Sequence, residues 1–322
     1  MFNFLHTFHP EPILFSIGPV DIHWYGLFVL LGALAATAVT VKLASYYNIN
    51  KDTILDLAFW LIIGGIIGAR IYDVLLELPY YINHPLNVFK IWQGGLAIHG
   101  GIIAGIVIIW IFTNGTRKIF YRALALVMGA LAPVKYGRIK PAEPDLKADR
   151  IYASRQINAN QNNQRNHGFW LLIALLAPGI ALAQAIGRWG NYFNQELFGL
   201  PTNLPWGIPI DIANRPAEYL SSQFFHPTFL YESIGNLIIF FILLAISAWI
   251  IKGHKNTTSY KLQAASYLIL YSALRFSLEF IRIDTTPTLL GLRFPQVVSL
   301  LIIFLALLLL LLPKIKKNAN IK

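Results

Sequence analysis

The chain is predicted to be an all-α polytopic membrane protein, a bundle of about seven transmembrane helices. Three observations predict it. Of its 322 residues, 56% are hydrophobic and only 13% are charged, where a soluble domain carries roughly 25% charge. Its mean hydropathy is +0.55. Apolar runs of about 20 residues, long enough to cross a bilayer, recur along the chain with the basic residues between them.

In order, the runs are 22–43, 54–76, 91–112, 169–186, 229–251, 262–280 and 297–312. The connections alternate in charge. Residues 1–21 hold no Lys or Arg, the next connection carries Lys42 and Lys51, and Lys90 stands near the third run. The connection 113–168 carries basic residues from Arg117 to Arg165, whereas 189–228 has only Arg215. Lys252, Lys255 and Lys261 follow, and the tail ends in Lys314, Lys316, Lys317 and Lys322. Basic loops stay in the cytoplasm, so the N-terminus is expected outside and the C-terminus in the cytoplasm. Arg282 and Arg293 break this pattern on the outer side.

One membrane domain, 1–322, is expected, with a polar cytoplasmic insertion at 123–168. Residues 135–167 are rich in Asn, Gln and Arg and have no apolar period, a composition for which disorder is one reading. Residues 119–134 are apolar but short, and read as an interfacial or re-entrant segment rather than a span. Residues 1–19 lack a basic start and a small-residue cleavage site, so no cleavable signal peptide is expected.

The net charge of +11 follows from topology, so no nucleic-acid partner is expected. The chain has no cysteine. That excludes disulfides, thiolate metal sites and a cysteine nucleophile of its own, and any reacting thiol belongs to a substrate. No cofactor is expected, and no metal, since no His-x-x-x-His or carboxylate spacing makes His99 a metal ligand.

Polar clusters stand at the span ends expected to face outward. The densest is 187–199, reading Gly-Arg-Trp-Gly-Asn-Tyr-Phe-Asn-Gln-Glu-Leu-Phe-Gly. Polar groups at a span end are costly unless they meet water, one another or a headgroup. The other clusters are His23-Trp24-Tyr25-Gly26, the stretch from Trp92 to Gly101 around His99, His226 to Glu232, and Tyr271 to Arg282. Tyr271, Arg275, Glu279 and Arg282 fall on one helical stripe. The Arg275–Glu279 pair reads equally as a packing device.

Arg188 and Arg275 suggest a phosphate clamp, because guanidinium binds phosphate oxygens as a planar fork. The rival reading of Arg188 is a snorkelling interfacial arginine. His99, flanked by glycines, suits abstraction of a proton from a thiol, or is a hydrogen-bonded structural histidine. Trp24 and Tyr25 read as interfacial aromatics. The small residues from Gly64 to Ala69 read as a packing face, with Arg70 a lesser candidate for headgroup contact.

These motifs, in this order, resemble the prolipoprotein diacylglyceryl transferase family. The pattern Gly-Arg-x-Gly-Asn-x-x-Asn-x-Glu-x-x-Gly is met at every fixed position of 187–199. His-Trp-Tyr-Gly, Gly-Ala-Arg, Gly-Gly-Leu-x-x-His-Gly-Gly, His-Pro-x-x-x-Tyr-Glu and Arg-Phe-x-x-Glu-Phe-x-Arg also match. The likeness runs from Phe15 to the last span. It implies an enzyme that transfers the diacylglyceryl group of phosphatidylglycerol to the lipobox cysteine of prolipoproteins, in the bacterial plasma (inner) membrane near the outer leaflet. By motif, it implies that Arg188 binds the headgroup, with Gly199, Glu232, Tyr271 and Glu279 at the substrate. Arg275, Glu196, Tyr25 and Asn191 join His99, the candidate base, in catalysis.

The chain departs from the family in the 123–168 insertion. It also opens its last span with Arg293-Phe294-Pro295-Gln296, where members often have Met-Gly-Gln. Two rival classes are a transporter, whose charges would be spread through the membrane depth, and a non-enzymatic lipid-binding protein.

Overall fold

The computed structural model describes residues 2–114 and 147–319. The architecture is that of an all-α polytopic membrane protein. The chain divides into two compact units, 1–49 with 173–322, and 50–172. The apolar segment 119–134 and the first part of the expected insertion lie outside the described residues.

The first unit opens with α1 (Phe2–Thr7), then strands β1 (Ile13–Ile17) and β2 (Val20–His23) in an antiparallel hairpin. The helix α2 (Trp24–Ser45) follows. In the second unit α3 (Lys51–Leu76) starts at Asn50, whose side chain accepts from the Asp52 N–H at 3.1 Å and caps the helix. After the short α4 (Leu78–Asn83) comes α5 (Ile98–Thr113). α3 and α5 cross at Gly68 and Gly100. A Cβ on Gly68 would come within 2.7 Å of the Gly100 carbonyl oxygen. The small-residue face therefore works as a packing face, as its sequence implies.

Arg70 is not free for a headgroup. It is buried, and it donates to the carbonyls of Val88 at 2.9 Å, of Gly94 and Gly95 at 2.8 Å each, and of Asn87. Four of its five N–H groups therefore hold the loop before α5. That loop, with Gly94 and Gly95 at positive φ, breaks the run expected as one span at 91–112. Ile91–Gln93 form one 3-10 turn before α5, and the α-helix begins only at Ile98.

The helix α6 runs unbroken from Lys147 to Phe193. Residues 147–167, polar and without apolar period, are thus helical in backbone. They hold neither Gly nor Pro, and extending an existing helix costs far less than nucleating one. The apolar stretch of α6, Gly168–Phe193, carries the first half of the densest polar motif.

The remaining first-unit elements are β3 (Ile208–Pro209), β4 (Phe224–Phe225), α7 (Thr228–Ile251), α8 (Thr257–Leu278), the hairpin β5 (Thr288–Leu289) and β6 (Leu292–Arg293), and α9 (Phe294–Ala319). α8 begins at Asn256, which caps the Ser259 N–H at 3.0 Å.

Among the described residues five helices are long and apolar enough to cross a membrane: Trp24–Ser45, Lys51–Leu76, Gly168–Phe193, Thr228–Ile251 and Phe294–Leu311. The other two expected spans correspond to α5, which has 16 residues, and α8. α8 has a polar face that includes Gln263, which donates to the Ala174 carbonyl and the Ser247 hydroxyl at 2.8 and 2.7 Å. A face that meets partners inside the protein lowers a helix's mean hydropathy without exposing it to lipid.

Candidate active site

Four arginines and glutamates of the first unit stand at the same end of its helices. Arg188 is in the last two turns of α6, Glu232 near the start of α7, Arg275 in the last turn of α8, and Arg293 directly before α9. Two carboxylates are sealed in: Glu232 is 3% exposed and Glu279 0%. A buried carboxylate is tolerated only when paired, and each one meets guanidinium.

Arg188 Nη2 lies 3.1 Å from Glu232 Oε1. Its Nη1 donates to Asn191 Oδ1 at 3.1 Å. Asn191 Nδ2 in turn donates to Glu196 Oε1 at 2.7 Å, and Asn194 Nδ2 reaches the same oxygen at 3.3 Å. The Tyr271 hydroxyl faces Arg188 and stands in the field of Glu232 and Arg275. The result is a chain of polar contacts, Glu232–Arg188–Asn191–Glu196, with Tyr271 on its flank. A cation near the C-terminal end of α6 also complements the helix dipole.

This chain forms because α6 ends inside the motif. Asn194 N–H bonds to the Gly190 carbonyl, Gln195 to Tyr192 and Glu196 to Asn191. Gln195 and Leu197 take positive φ, 49° and 57°, so the backbone turns back over the helix end. The reversal is braced beneath by Tyr192, Phe198, Ile208, Ile210, Phe225 and Phe229, with the rings of Tyr192 and Phe229 stacked 4.5 Å apart.

Gln195 braces it above. It donates to the Pro10 carbonyl at 3.0 Å and to Asp211 Oδ2 at 2.7 Å, and accepts from the Asp211 N–H at 2.7 Å. Gln195 occupies a variable place in the motif, so nothing in the pattern marked it.

Tyr25 stands against this helix end. A Cβ on Gly190 would lie 2.7 Å from Tyr25 Cδ2, and the neighbouring Trp24 stacks on Phe193 at 4.6 Å. Gly199 sits where three segments meet. Its N–H donates to the His226 carbonyl at 2.9 Å, and it pairs with Arg282 in an isolated bridge. A Cβ there would lie 2.8 Å from both His226 Cβ and the Ile281 carbonyl oxygen. Close approach alone therefore requires glycine.

The stripe expected from Tyr271 to Arg282 is helical only as far as Leu278, with Glu279 as C-cap. Arg282 lies beyond, where Leu200 N–H bonds to the Ile281 carbonyl at 2.8 Å and draws the chain off the helix. Glu279 nonetheless meets Arg275 at 2.9 Å and Arg282 at 3.9 Å. It also meets Arg293 at 3.1 Å, a partner the sequence pattern did not single out. Burial alone would raise the Asp284 carboxyl. The hydrogen bond and charge of Arg282, with Arg293 beyond, outweigh it and hold that carboxyl below the usual range.

Several buried polar atoms here have no hydrogen bond among the described residues: Glu232 Oε1, both Glu279 carboxylate oxygens, Gln296 Nε2 and one guanidinium nitrogen. Arg275 Nη1 is buried without a hydrogen bond among the described residues, while the arginine side chain as a whole is 20% exposed. Beside the site a pocket of about 420 Å³ opens between Asn194, Glu196, Asn214 and Asp284. Across the neighbouring loop, Trp206 Nε1 donates to the Tyr231 hydroxyl at 2.8 Å, and His226 Nδ1 lies 3.2 Å from that oxygen. Burial lowers the His226 imidazole from its ordinary value.

His99 belongs to the second unit. It stands in the first turn of α5, exposed, with its ring 5.9 Å from that of Tyr72. Among the described residues no three His, Asp or Glu side chains converge as metal ligands would.

The family model described as prolipoprotein diacylglyceryl transferase matches residues 12–139 and 157–312. Only 140–156 falls between the two matched stretches, inside the expected insertion. Three bacterial proteins named phosphatidylglycerol–prolipoprotein diacylglyceryl transferase are similar to this chain. That of Nostoc sp. is 38% identical over 298 residues, 92% of this chain and 87% of the relative. That of Synechocystis sp. is 37% identical over 299 residues, with the same coverage. That of Gloeobacter violaceus is 35% identical over 295 residues, 90% of this chain and 88% of the relative.

Proposed function

The chain belongs to the prolipoprotein diacylglyceryl transferase family, and we propose that it transfers the diacylglyceryl group of phosphatidylglycerol to the lipobox cysteine thiol of prolipoproteins, the first step of lipoprotein maturation. The carrying observation is the free donor of Arg275 beside a second arginine, Arg188, at one end of the first unit's helices. A buried N–H left without an acceptor costs about 1–3 kcal/mol, which a bound phosphate oxygen removes.

In the reaction the substrate's sulfur attacks the glyceryl carbon that bears the phosphate ester. The carbon–sulfur bond forms, the carbon–oxygen bond breaks, and glycerol phosphate leaves with the electron pair. The leaving group gains charge on phosphate, and Arg188 and Arg275 stabilise that charge. Glu232 and Asn191 aim the Arg188 fork, and Glu279 aims that of Arg275. Glu196 fixes Asn191, and Tyr271 bridges towards both arginines. Tyr25 and Gly199 shape the walls. The thiol must lose its proton, since thiolate is the competent nucleophile, and His99 is the candidate base.

The N-terminus faces outside, the C-terminus the cytoplasm, and seven helices span the bacterial plasma (inner) membrane. The alternation of basic connections supports this, and it places the cluster near the outer leaflet, where secreted prolipoproteins present their cysteine.

The test is transfer by the purified protein supplied with phosphatidylglycerol and a lipobox peptide. A mass gain of one diacylglyceryl group, absent when the peptide cysteine is replaced by serine, is expected. A folded, lipid-supplied protein that gives no transfer would favour the transporter or lipid-binding classes.

A further inference from the structure

We infer that Arg293 is a positioning residue for the transfer: it holds one oxygen of Glu279, so that the Arg275 guanidinium keeps a free N–H for the lipid phosphate. The inference rests on the proposed transfer reaction and adds a residue that none of the family motifs contains.

The geometry is that of one carboxylate shared among three cations. Glu279 Oε1 lies 3.1 Å from Arg293 Nε, and Oε2 lies 2.9 Å from Arg275 Nη2 and 3.9 Å from Arg282 Nε. Arg282 is turned away towards Asp284, at 2.8 Å. Arg275 and Arg293 are thus the close partners, one on each oxygen.

A carboxylate with both oxygens free takes an arginine as a fork, through two parallel N–H bonds. Arg293 Nε stands 3.1 Å from Oε1 and Arg275 Nη2 2.9 Å from Oε2, so the carboxylate is shared as two ion pairs and is not taken by Arg275 as a fork. In this arrangement Arg275 Nη1 is buried with no acceptor, and both Glu279 oxygens are held by ion-pair contact without a hydrogen bond among the described residues. Arg275, Arg282 and Arg293 face only Glu279 and Asp284 in this cluster.

Arg293 is itself rigidly placed. It ends the hairpin β5–β6, where Thr288 pairs with Arg293 and Leu289 with Leu292. The two turn residues, Leu290 and Gly291, have φ of 53° and 78°, as the tight primed hairpin turn requires. The single Nε–H donates to Thr286 Oγ1 at 2.9 Å, so Nε meets Glu279 Oε1 as an ion pair, and Nη1 reaches the Glu279 carbonyl at 3.3 Å. Further bonds run to the carbonyls of Arg282 and Asp284. Its own N–H donates to Gln296 Oε1 at 3.0 Å. A side chain fixed on so many sides does not follow Glu279 towards Arg275. It restrains that carboxylate.

Without Arg293, Glu279 would turn both oxygens to Arg275 and occupy the donor meant for phosphate. The test is steady-state transfer with phosphatidylglycerol and lipobox peptide varied separately, in wild type, Arg293→Gln and Arg293→Lys. The expected result is a rise of roughly tenfold or more in KM for phosphatidylglycerol in Arg293→Gln, with KM for the peptide unchanged. Arg293→Lys restores a point charge beside Oε1 and should recover most of the loss.

Unchanged kinetics in Arg293→Gln would overturn the inference. So would equal rises in both KM values, or a lower active fraction with both KM values intact, since those mark a merely structural arginine. If Arg293→Gln does not fold, Arg293→Lys carries the test, with a smaller rise confined to the phosphatidylglycerol KM expected and an unselective change or none contradicting it. Absence of transfer in the wild type would instead refute the transfer reading itself.

Discussion

Glu279 is the residue on which the buried charges depend. Fully enclosed and ion-paired to Arg275 and Arg293, it cannot be removed without leaving cations unopposed. Breaking a buried pair from one side costs about 3–5 kcal/mol. Glu279→Gln should therefore lower the thermal midpoint in detergent markedly, whereas replacing the exposed Glu218 should leave it unchanged. Arg188 differs because its contacts depend on shape. One nitrogen faces Glu232 and another Asn191, so Arg188→Lys should fold normally yet lose transfer by roughly a hundredfold or more, as measured by initial rates.

Among residues, those in contiguous motifs were legible from sequence. Arg188, Asn191 and Glu196 lie within one helix end, so their spacing alone puts them together. Arg293 was not legible, because it reaches Glu279 only through a hairpin turn that its own sequence does not announce. Arg70 was legible as an arginine at a packing face but not as the anchor of the loop before α5.

At the scale of elements, the α6 terminus and the loop above it make one device. Gly199 lets the 199–202 segment pass between His226 and Ile281. Gly199→Ala should force these segments apart, cost of order 1–3 kcal/mol, and reduce transfer, with both effects read from thermal unfolding and initial rates.

The neighbouring His226 makes stability pH-dependent. Burial lowers its folded value below the ordinary 6.5. The unfolded imidazole therefore takes up a proton first as pH falls. Its contribution is fully present above about 6.5 and is lost as pH falls from there through the folded value. His226→Gln should remove that part of the acid-side decline in the thermal midpoint. Span positions were legible from apolar runs except at 91–112. There Gly94 and Gly95 break the run, and the helix begins only at Ile98.

For the whole molecule, the all-α membrane architecture follows from composition, and the five long apolar helices agree with it. Orientation is the bolder claim, because it rests on the distribution of Lys and Arg. The absence of cysteine makes it directly measurable. Single cysteines introduced at the exposed positions Ala213 and Lys252 should label oppositely with an impermeant maleimide on whole cells. Ala213→Cys should react from outside, and Lys252→Cys only after lysis. The polar stretch 147–167 shows the limit of composition, since its lack of apolar period said nothing against a helix continued from α6.

The central claim is that Arg188 and its partners hold the lipid phosphate during transfer to a substrate thiol. The most direct measurement is the mass of a lipobox peptide after incubation with phosphatidylglycerol and either wild-type or Arg188→Ala protein of equal thermal stability. The account predicts a gain of one diacylglyceryl group with the wild type and none with Arg188→Ala. Equal transfer by both would contradict it.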